Sequence, residues 1–401
     1  MKTLIFITCS FLSYFLYGFY ISHYDPSFIT NKIKNENPIG FYDYKGVINL
    51  HTHLSIGSLP SQTIIPAAKR AGLDFIIFSD LNNFSFQEQS DTYSNGVLAL
   101  FAAKYSYLDS RLIYYSEKNS SLGASLGEAQ VRLADFLSQK KESNYDSLLV
   151  LAHPYKSGFA WSGELPEGLD GFELLNLKSI SNRSIENSFL NAFWSVFIYP
   201  FNSKLAFARL FAEPTDEVML FDQISAKRKI NMYAGSEASS RAVLIGNYSV
   251  KFPSYQRTFE FMSNHLLLKS ELTGNISADR KKIFTALKKG HFYLALDIFG
   301  DSKGFISYIQ DRNETYLMGE ELNFNPNMKL KIKLPSVPKD FFEVIILRNG
   351  EKWRIANQDQ VELTLPGPGV YRVQVRVSPF WPIPDARKWV TWIYTNAFFV
   401  K

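Results

Sequence analysis

The sequence predicts an α/β fold, either an α/β barrel or a doubly wound sheet, on three observations. Short apolar runs of strand length alternate with helical patterns from about Tyr44 to Gly300. Residues able to do chemistry, His51, Asp80, His153 and Glu237, stand at or just past the C-terminal ends of such runs, the edge where α/β sheets carry their sites. From about Phe305 the pattern changes to short strand-like runs divided by turns such as Arg348-Asn349-Gly350-Glu351, which marks a separate antiparallel β region.

The stretch Gly46 to Asn82 organises the first region. Val47-Ile48-Asn49-Leu50 reads as a strand ending in His51-Thr52-His53. The chain then turns through Gly57 and Pro60, forms a helix to about Arg70, and re-enters a buried strand, Phe75 to Phe78. Side chains alternate along a strand, so the i and i+2 histidines are expected to point the same way and reach one metal ion. Asp80 is expected at the same rim. Further strands are predicted over Ser147–Ala152, Gly171–Asn176 and 230–237, with a helix over Glu128–Lys141. The run from Asn187 to Phe211 is apolar and aromatic. Pro200, Asn202, Lys204 and Arg209 interrupt it, which favours core helices over a surface resting on a membrane.

At the N-terminus, Thr3 to Ser22 is uncharged and close to the ~20 residues that span a bilayer. The bulky stretch after it, Tyr20-Ile21-Ser22-His23-Tyr24, offers no small-x-small cleavage site, which favours a retained anchor over a cleaved signal. The expected organisation is an anchor (1–22), a polar linker (23–43), an α/β domain (44–300) and a β domain (301–401). The body is expected on the extracytoplasmic side, or secreted if the signal is cleaved.

Composition narrows the function. With 46% hydrophobic residues the 401-residue chain can bury a sizeable core. The net charge of +5 is modest and no basic run stands out, which excludes nucleic acid as the expected partner. The single cysteine, Cys9, excludes an intramolecular disulfide framework.

Taken together, the motifs resemble the PHP (polymerase and histidinol phosphatase) family, and in particular its CehA/McbA-like metallohydrolase branch. The likeness rests on His51-Thr52-His53, the Asp80 region, Ala152-His153-Pro154, Gly171-Phe172-Glu173-Leu174-Leu175-Asn176, Gly235-Ser236-Glu237 and Ala286-Leu287 through Tyr293. It extends to Gly369-Val370-Tyr371-Arg372-Val373 and Trp392-Ile393-Tyr394-Thr395-Asn396 near the C-terminus. The resemblance implies a distorted (β/α)7 barrel followed by a small antiparallel β-sandwich. It also implies a ring of about nine His, Asp and Glu ligands holding up to three divalent metals for hydrolysis, typically of phosphoesters.

This sequence keeps part of that ring. His51, His53 and His153 match, and Glu237 stands where the family has Asp. Gly57 or Ser58, Leu81 and Ser239 fall where ligands are expected, and Lys104 and Arg111 align with a Glu and a His. Two cations in place of ligands oppose metal binding, because protonated Lys and Arg cannot ligate and repel divalent ions.

Three readings follow. The favoured one is a catalytically impaired scaffold that binds a small anion through Lys104 and Arg111. The second is a single-metal hydrolase of ester, phosphoester or amide substrates. It would hold zinc, manganese or iron on His51, His53, His153 and Glu237, with Asp80 as general base and, in one variant, a carbamylated Lys104. The third is an envelope binding or assembly protein.

Overall fold

The structure is a computed structural model that describes residues 1–27, 29–32, 40–84, 90–117, 121–138, 147–245, 248–383, 385 and 387–401. The expected linker and the expected end of the 128–141 helix therefore lie partly outside the described residues.

The fold is mixed α/β. Helix α1 (Lys2–Ser22) is followed by strand β1 (Tyr42–Leu50), helix α2 (Ser61–Arg70) and strands β2 (Phe75–Phe78) and β3 (Val97–Phe101). Strands β4 (Ala103–Tyr107) and β5 (Ser110–Ser116) then form a hairpin, and helix α3 (Leu126–Ser138) leads to β6 (Ser147–Ala152) and β7 (Gly171–Asn176). Four helices follow: α4 (Leu177–Asn187), α5 (Phe189–Ile198), α6 (Ser203–Arg209) and α7 (Thr215–Ser225). Next come β8 (Asn231–Ala238), α8 (Tyr255–Phe259), β9 (Ser263–Leu268), α9 (Ile276–Lys289) and β10 (Phe292–Ala295).

These strands close a ring. β1 pairs in parallel with β2, and β2 with β3. β4, β5 and β6 are antiparallel neighbours, while β6, β7 and β8 are parallel. β8 returns to β1, with Gly235 opposite Ile48 and Ala238 opposite Leu50, and the sheet is closed. Strands β2, β6 and β7 occupy the spans read from sequence. Each is an apolar run buried on both faces, as expected where helices cover a parallel sheet.

Beyond the ring lie β11 (Ile306–Asp311), β12 (Lys329–Lys333), β13 (Phe341–Arg348), β14 (Glu351–Ala356), β15 (Gln360–Thr364), β16 (Gly369–Ser378), β17 (Val390–Thr395) and β18 (Phe398–Val400). β11, β12 and β15 belong to a separate four-stranded sheet. β13, β14, β16, β17 and β18 instead extend the barrel sheet, because β17 pairs antiparallel with β10. Polar contacts seal the junction. Asn396 accepts from the Met232 amide at 2.7 Å, and Arg372 grips Asp222 through two hydrogen bonds of 2.7 and 2.8 Å. Trp392 is fully buried there and donates to the Gly300 carbonyl.

Helix α1 is long and apolar enough to be a membrane anchor or a signal sequence. Its C-terminal part, from Tyr14, rests on the body. Tyr14 packs on Phe197 and Phe201, Tyr17 on Trp194, and Asn202 donates to the carbonyls of Ile21 and Tyr24. The 187–211 run divides in two. In α6, Leu205, Ala206, Phe207 and Ala208 are buried as expected, whereas α5 leaves Phe189, Leu190, Phe193 and Val196 exposed. The expectation of core helices is therefore corrected for α5, whose other face is taken up by the aromatic contacts with α1.

Candidate functional site at the strand C-termini

The C-terminal ends of β1, β6, β7 and β8 bring together His51, His153, Asn176 and Glu237, all buried. Three residues here, Asn49, His153 and Glu237, hold positive φ angles of 56°, 35° and 46°. Such conformations cost of order 1–3 kcal/mol each for residues other than glycine, persist only where surroundings enforce them, and concentrate at functional sites.

Lys104, on β4, lies at the centre. Its Nζ is 2.5 Å from Glu237 Oε1, donates to Asn49 Oδ1 at 3.0 Å, and lies 3.5 Å from His51 Nε2. His153 Nε2 is 3.5 Å from the same Glu237 oxygen. The other oxygen, Oε2, accepts from Lys156 Nζ at 3.3 Å and faces Lys178 Nζ at 3.7 Å. Sequence reasoning missed both lysines. Lys156 follows the His153-Pro154 turn and Lys178 opens α4, positions that become neighbours only when β6, β7 and β8 align.

The electrostatics follow from this crowding. Burial opposes the charged form of Glu237, but Lys104, His153 and Lys178 outweigh it and hold the carboxyl well below the usual carboxylate range. Burial, reinforced by Lys104, pushes His51 well below the ordinary imidazole value, so it is neutral. Burial also lowers the Lys178 ammonium, against the pull of Glu237. Glu173 lies deeper. It accepts from Asn49 at 2.6 Å, Asn176 at 2.7 Å and the His153 amide at 3.1 Å, and so fixes the strand ends rather than facing the lysines directly. Burial, followed by the opposing influence of Lys104, leaves its carboxyl raised.

The remaining predicted site residues, His53, Asp80 and Arg111, border this cluster without joining it. His53 is exposed while His51 is fully buried. The expectation that they share a face fails because β1 ends at Leu50 and the chain folds at once into a turn, with the Gly57 amide donating to the Thr52 carbonyl at 2.9 Å. The Asp80 carboxylate accepts from the Thr52 amide and hydroxyl, both at 2.7 Å, and from the Ser55 hydroxyl at 2.5 Å. It therefore fastens that turn. Arg111 is partly buried at the rim, with its guanidinium 4.6 Å above the Phe159 ring.

These donors do not fit a metal centre. His51 and Glu237 face an ammonium group, and His153 faces the same Glu237 oxygen that this ammonium holds, so a cation that cannot be ligated already occupies their midst. A carbamylated Lys104 fits no better, since both groups within 3.0 Å of Nζ, Glu237 Oε1 and Asn49 Oδ1, are acceptors. The arrangement is suited to an anion. Lys104, Lys156 and Lys178 surround a single carboxylate, and Lys156 and Lys178 are the two with solvent-accessible side chains.

A second group of ligand-type residues, His265, Asp297 and Asp301, lies at the far end of β1. The pairing of β9 with β1 brings Asp43 within 2.9 Å of His265 Nδ1. Ser302 Oγ lies 3.0 Å from Nε2, and Lys45 pairs with Asp297 at 3.1 Å. Burial opposes the charged imidazole, yet Asp43 and Asp297 raise its pKa to about 9. The cluster is thus a charged knot with its own cations. His291 likewise has a carboxylate neighbour, Glu320 at 3.3 Å.

Gly235 sits against the site because a β-carbon there would overlap Glu173 Oε1. Gly235→Ala is expected to cost about 1–3 kcal/mol through overpacking. Denaturant unfolding in mild detergent checks this, and an unchanged midpoint would mean that Glu173 is free to move.

No family model matches the chain, and no curated protein matches it. Among solved structures, the chain is similar to a two-domain protein of Bacteroides vulgatus ATCC 8482 containing a predicted PHP-like metal-dependent phosphoesterase. Identity is 13%, covering 90% of this chain and 98% of that one, with a TM-score of 0.38. It is also similar to a protein of Bifidobacterium adolescentis ATCC 15703 described as a candidate metal-dependent phosphoesterase. There identity is 13%, covering 51% of this chain and 92% of that one, with a TM-score of 0.30.

Proposed function

We propose that this chain is a membrane-anchored, extracytoplasmic PHP-type barrel protein that binds a small anion through lysines and has given up the metal-dependent hydrolysis of its family. One observation carries the reading. The Lys104 ammonium occupies the centre of the ligand-type groups, 2.5 Å from Glu237 Oε1 and 3.5 Å from His51 Nε2. A group with three donors and no acceptor replaces the dication there and supplies half its charge without its Lewis acidity. Lys156 and Lys178 then extend the positive field outward, and Arg111 adds to it at the rim. The ligand class favoured is a compact anion such as a phosphate or phosphomonoester, which can take hydrogen bonds from several ammonium groups at once.

The test uses the full-length protein in mild detergent, purified without chelator. Stoichiometric zinc, manganese or iron should be absent, and inorganic phosphate should bind in calorimetric titration at low salt. Binding should weaken at least ~10-fold in the Lys156→Ala and Lys178→Ala double variant, as expected for losing two charge-assisted bonds. One equivalent of metal, lost on His51→Ala, would overturn the proposal and restore the single-metal hydrolase. Phosphate binding unchanged by the double variant would overturn it as well.

A further inference from the structure

We propose that the contact between α1 and α5 lies inside the bilayer, so that α5 is a second, interfacial membrane element with an anionic phospholipid headgroup site beside it. The inference does not depend on the anion reading of the barrel site.

The length of α1 carries the argument. Its contacts with the body begin at Tyr14 and run to Ile21. Were that portion in water, the part of α1 left for the membrane would be residues 2–13, which extend only roughly 18 Å at 1.5 Å per residue. The hydrocarbon core is about 30 Å thick, so α1 can span it only if the docked portion is immersed too. The partner surfaces of that portion must then enter the lipid with it.

The surfaces concerned are built for this. α5 turns Phe189, Leu190, Phe193 and Val196 outward, at spacings of one, four and seven residues, and Leu190 is 76% exposed. Phe380 and Ile383 lie exposed nearby, on the segment whose Ile383 carbonyl accepts from the Tyr17 hydroxyl. A contiguous apolar stripe beside an apolar anchor matches an interfacial helix better than a water-facing one. Tyr17 and Trp194, packed together at the junction, are of the types that settle at the membrane–water boundary.

Behind the stripe a cavity of about 270 Å³ is lined by Asn191 of α5 together with Arg209, Trp381, Asp385, Arg387 and Lys388. Arg209 pairs with Asp385 at 2.8 Å, and Arg387 with Asp340 at 3.1 Å, which leaves Lys388 as the excess positive charge. Among the described residues, the indole N–H of Trp381, a residue only 4% exposed, has no hydrogen-bond partner. An unmatched donor and excess positive charge directly behind an apolar stripe suit the phosphate of an anionic phospholipid whose acyl chains lie along α5.

The experiment uses full-length chain carrying Cys9→Ser and Leu190→Cys, labelled at residue 190 with a polarity-sensitive fluorophore. It is reconstituted in phosphatidylcholine vesicles with and without phosphatidylglycerol, some lipids being brominated near the headgroup. Strong bromolipid quenching at residue 190, absent for a label at Val131→Cys on exposed α3, is the expected result. Quenching should deepen with phosphatidylglycerol and lose that increment in the Arg387→Gln and Lys388→Gln double variant. A label at residue 190 as water-accessible as that at 131 would overturn the immersion of α5, as would energy transfer between copies without lipid quenching. Equal quenching with and without phosphatidylglycerol would overturn the headgroup site. Intact mass showing residues 1–22 removed in vesicle-bound protein would overturn the whole inference.

Discussion

Replacing Lys104 with Met should lower the unfolding free energy by about 3–5 kcal/mol, the usual cost of leaving one member of a buried ion pair without its partner. Lys104 and Glu237 are only 2% and 3% exposed, and their atoms meet at 2.5 Å. Removing the ammonium strands a carboxylate in a low-dielectric pocket, where only the longer contacts to Lys156, Lys178 and His153 remain. The variant should also raise the pKa of His51, which burial and Lys104 together depress. The double variant Lys104→Met with Glu237→Gln removes both charges and should recover at least half of the loss. Urea titration in mild detergent measures both, and the histidine titration can be followed by NMR. A single-variant loss below about 1 kcal/mol, or strict additivity in the cycle, would show that the pair is not the closed, desolvated contact described here.

The second large effect depends on pH. His265 is fully buried between Asp43 and Asp297, and its pKa is about 9 in the folded chain, above the unfolded value near 6.5. Below about pH 6.5 both states bind the proton and the stabilisation is whole. As pH climbs through about 9 the folded state loses the proton and the contribution is lost. Stability should therefore fall by on the order of 3 kcal/mol between those limits, at 1.36 kcal/mol per pKa unit. His265→Gln should be less stable at pH 6.5 and show a flatter profile above it. A parent profile flat from pH 6.5 to 9.5 would mean that the imidazole is neutral in the folded protein.

Much of the barrel was legible because its strands are short, continuously apolar runs bounded by polar residues. Phe75–Phe78, Ser147–Ala152 and Gly171–Asn176 could be bounded from composition alone. The site was legible where a residue ends such a strand, as with His51, His153 and Glu237, and at Lys104 through the family resemblance alone. His53 was misplaced because it lies past Leu50, and strand alternation stops where the strand stops; Asp80 keeps its expected place at the rim, where it holds the turn. Lys156 and Lys178 carry no local signal, and a lysine after a turn or at a helix start is ordinarily a solvated one. Only the parallel register of β6, β7 and β8 brings them to Glu237. The outward stripe of α5 was hidden for the opposite reason. Apart from Asn191 and Ser195 the helix is apolar, so the side that meets α1 and the side left exposed are not told apart by composition.

The pairing of β17 with β10 also bears on how the molecule is made. β10 needs two neighbours, and one of them lies about a hundred residues later, at Val390–Thr395. During synthesis, and during any passage through a translocation channel, the barrel sheet must wait with β10 as an unpaired edge until that strand emerges. Open edges recruit strands from other chains, and late, distant pairings are slow to form. The growing chain therefore has a built-in interval in which this edge is open to pairing with other chains. Truncations that stop before residue 390 should be cleared as aggregates or proteolytic fragments rather than accumulate as a trimmed barrel.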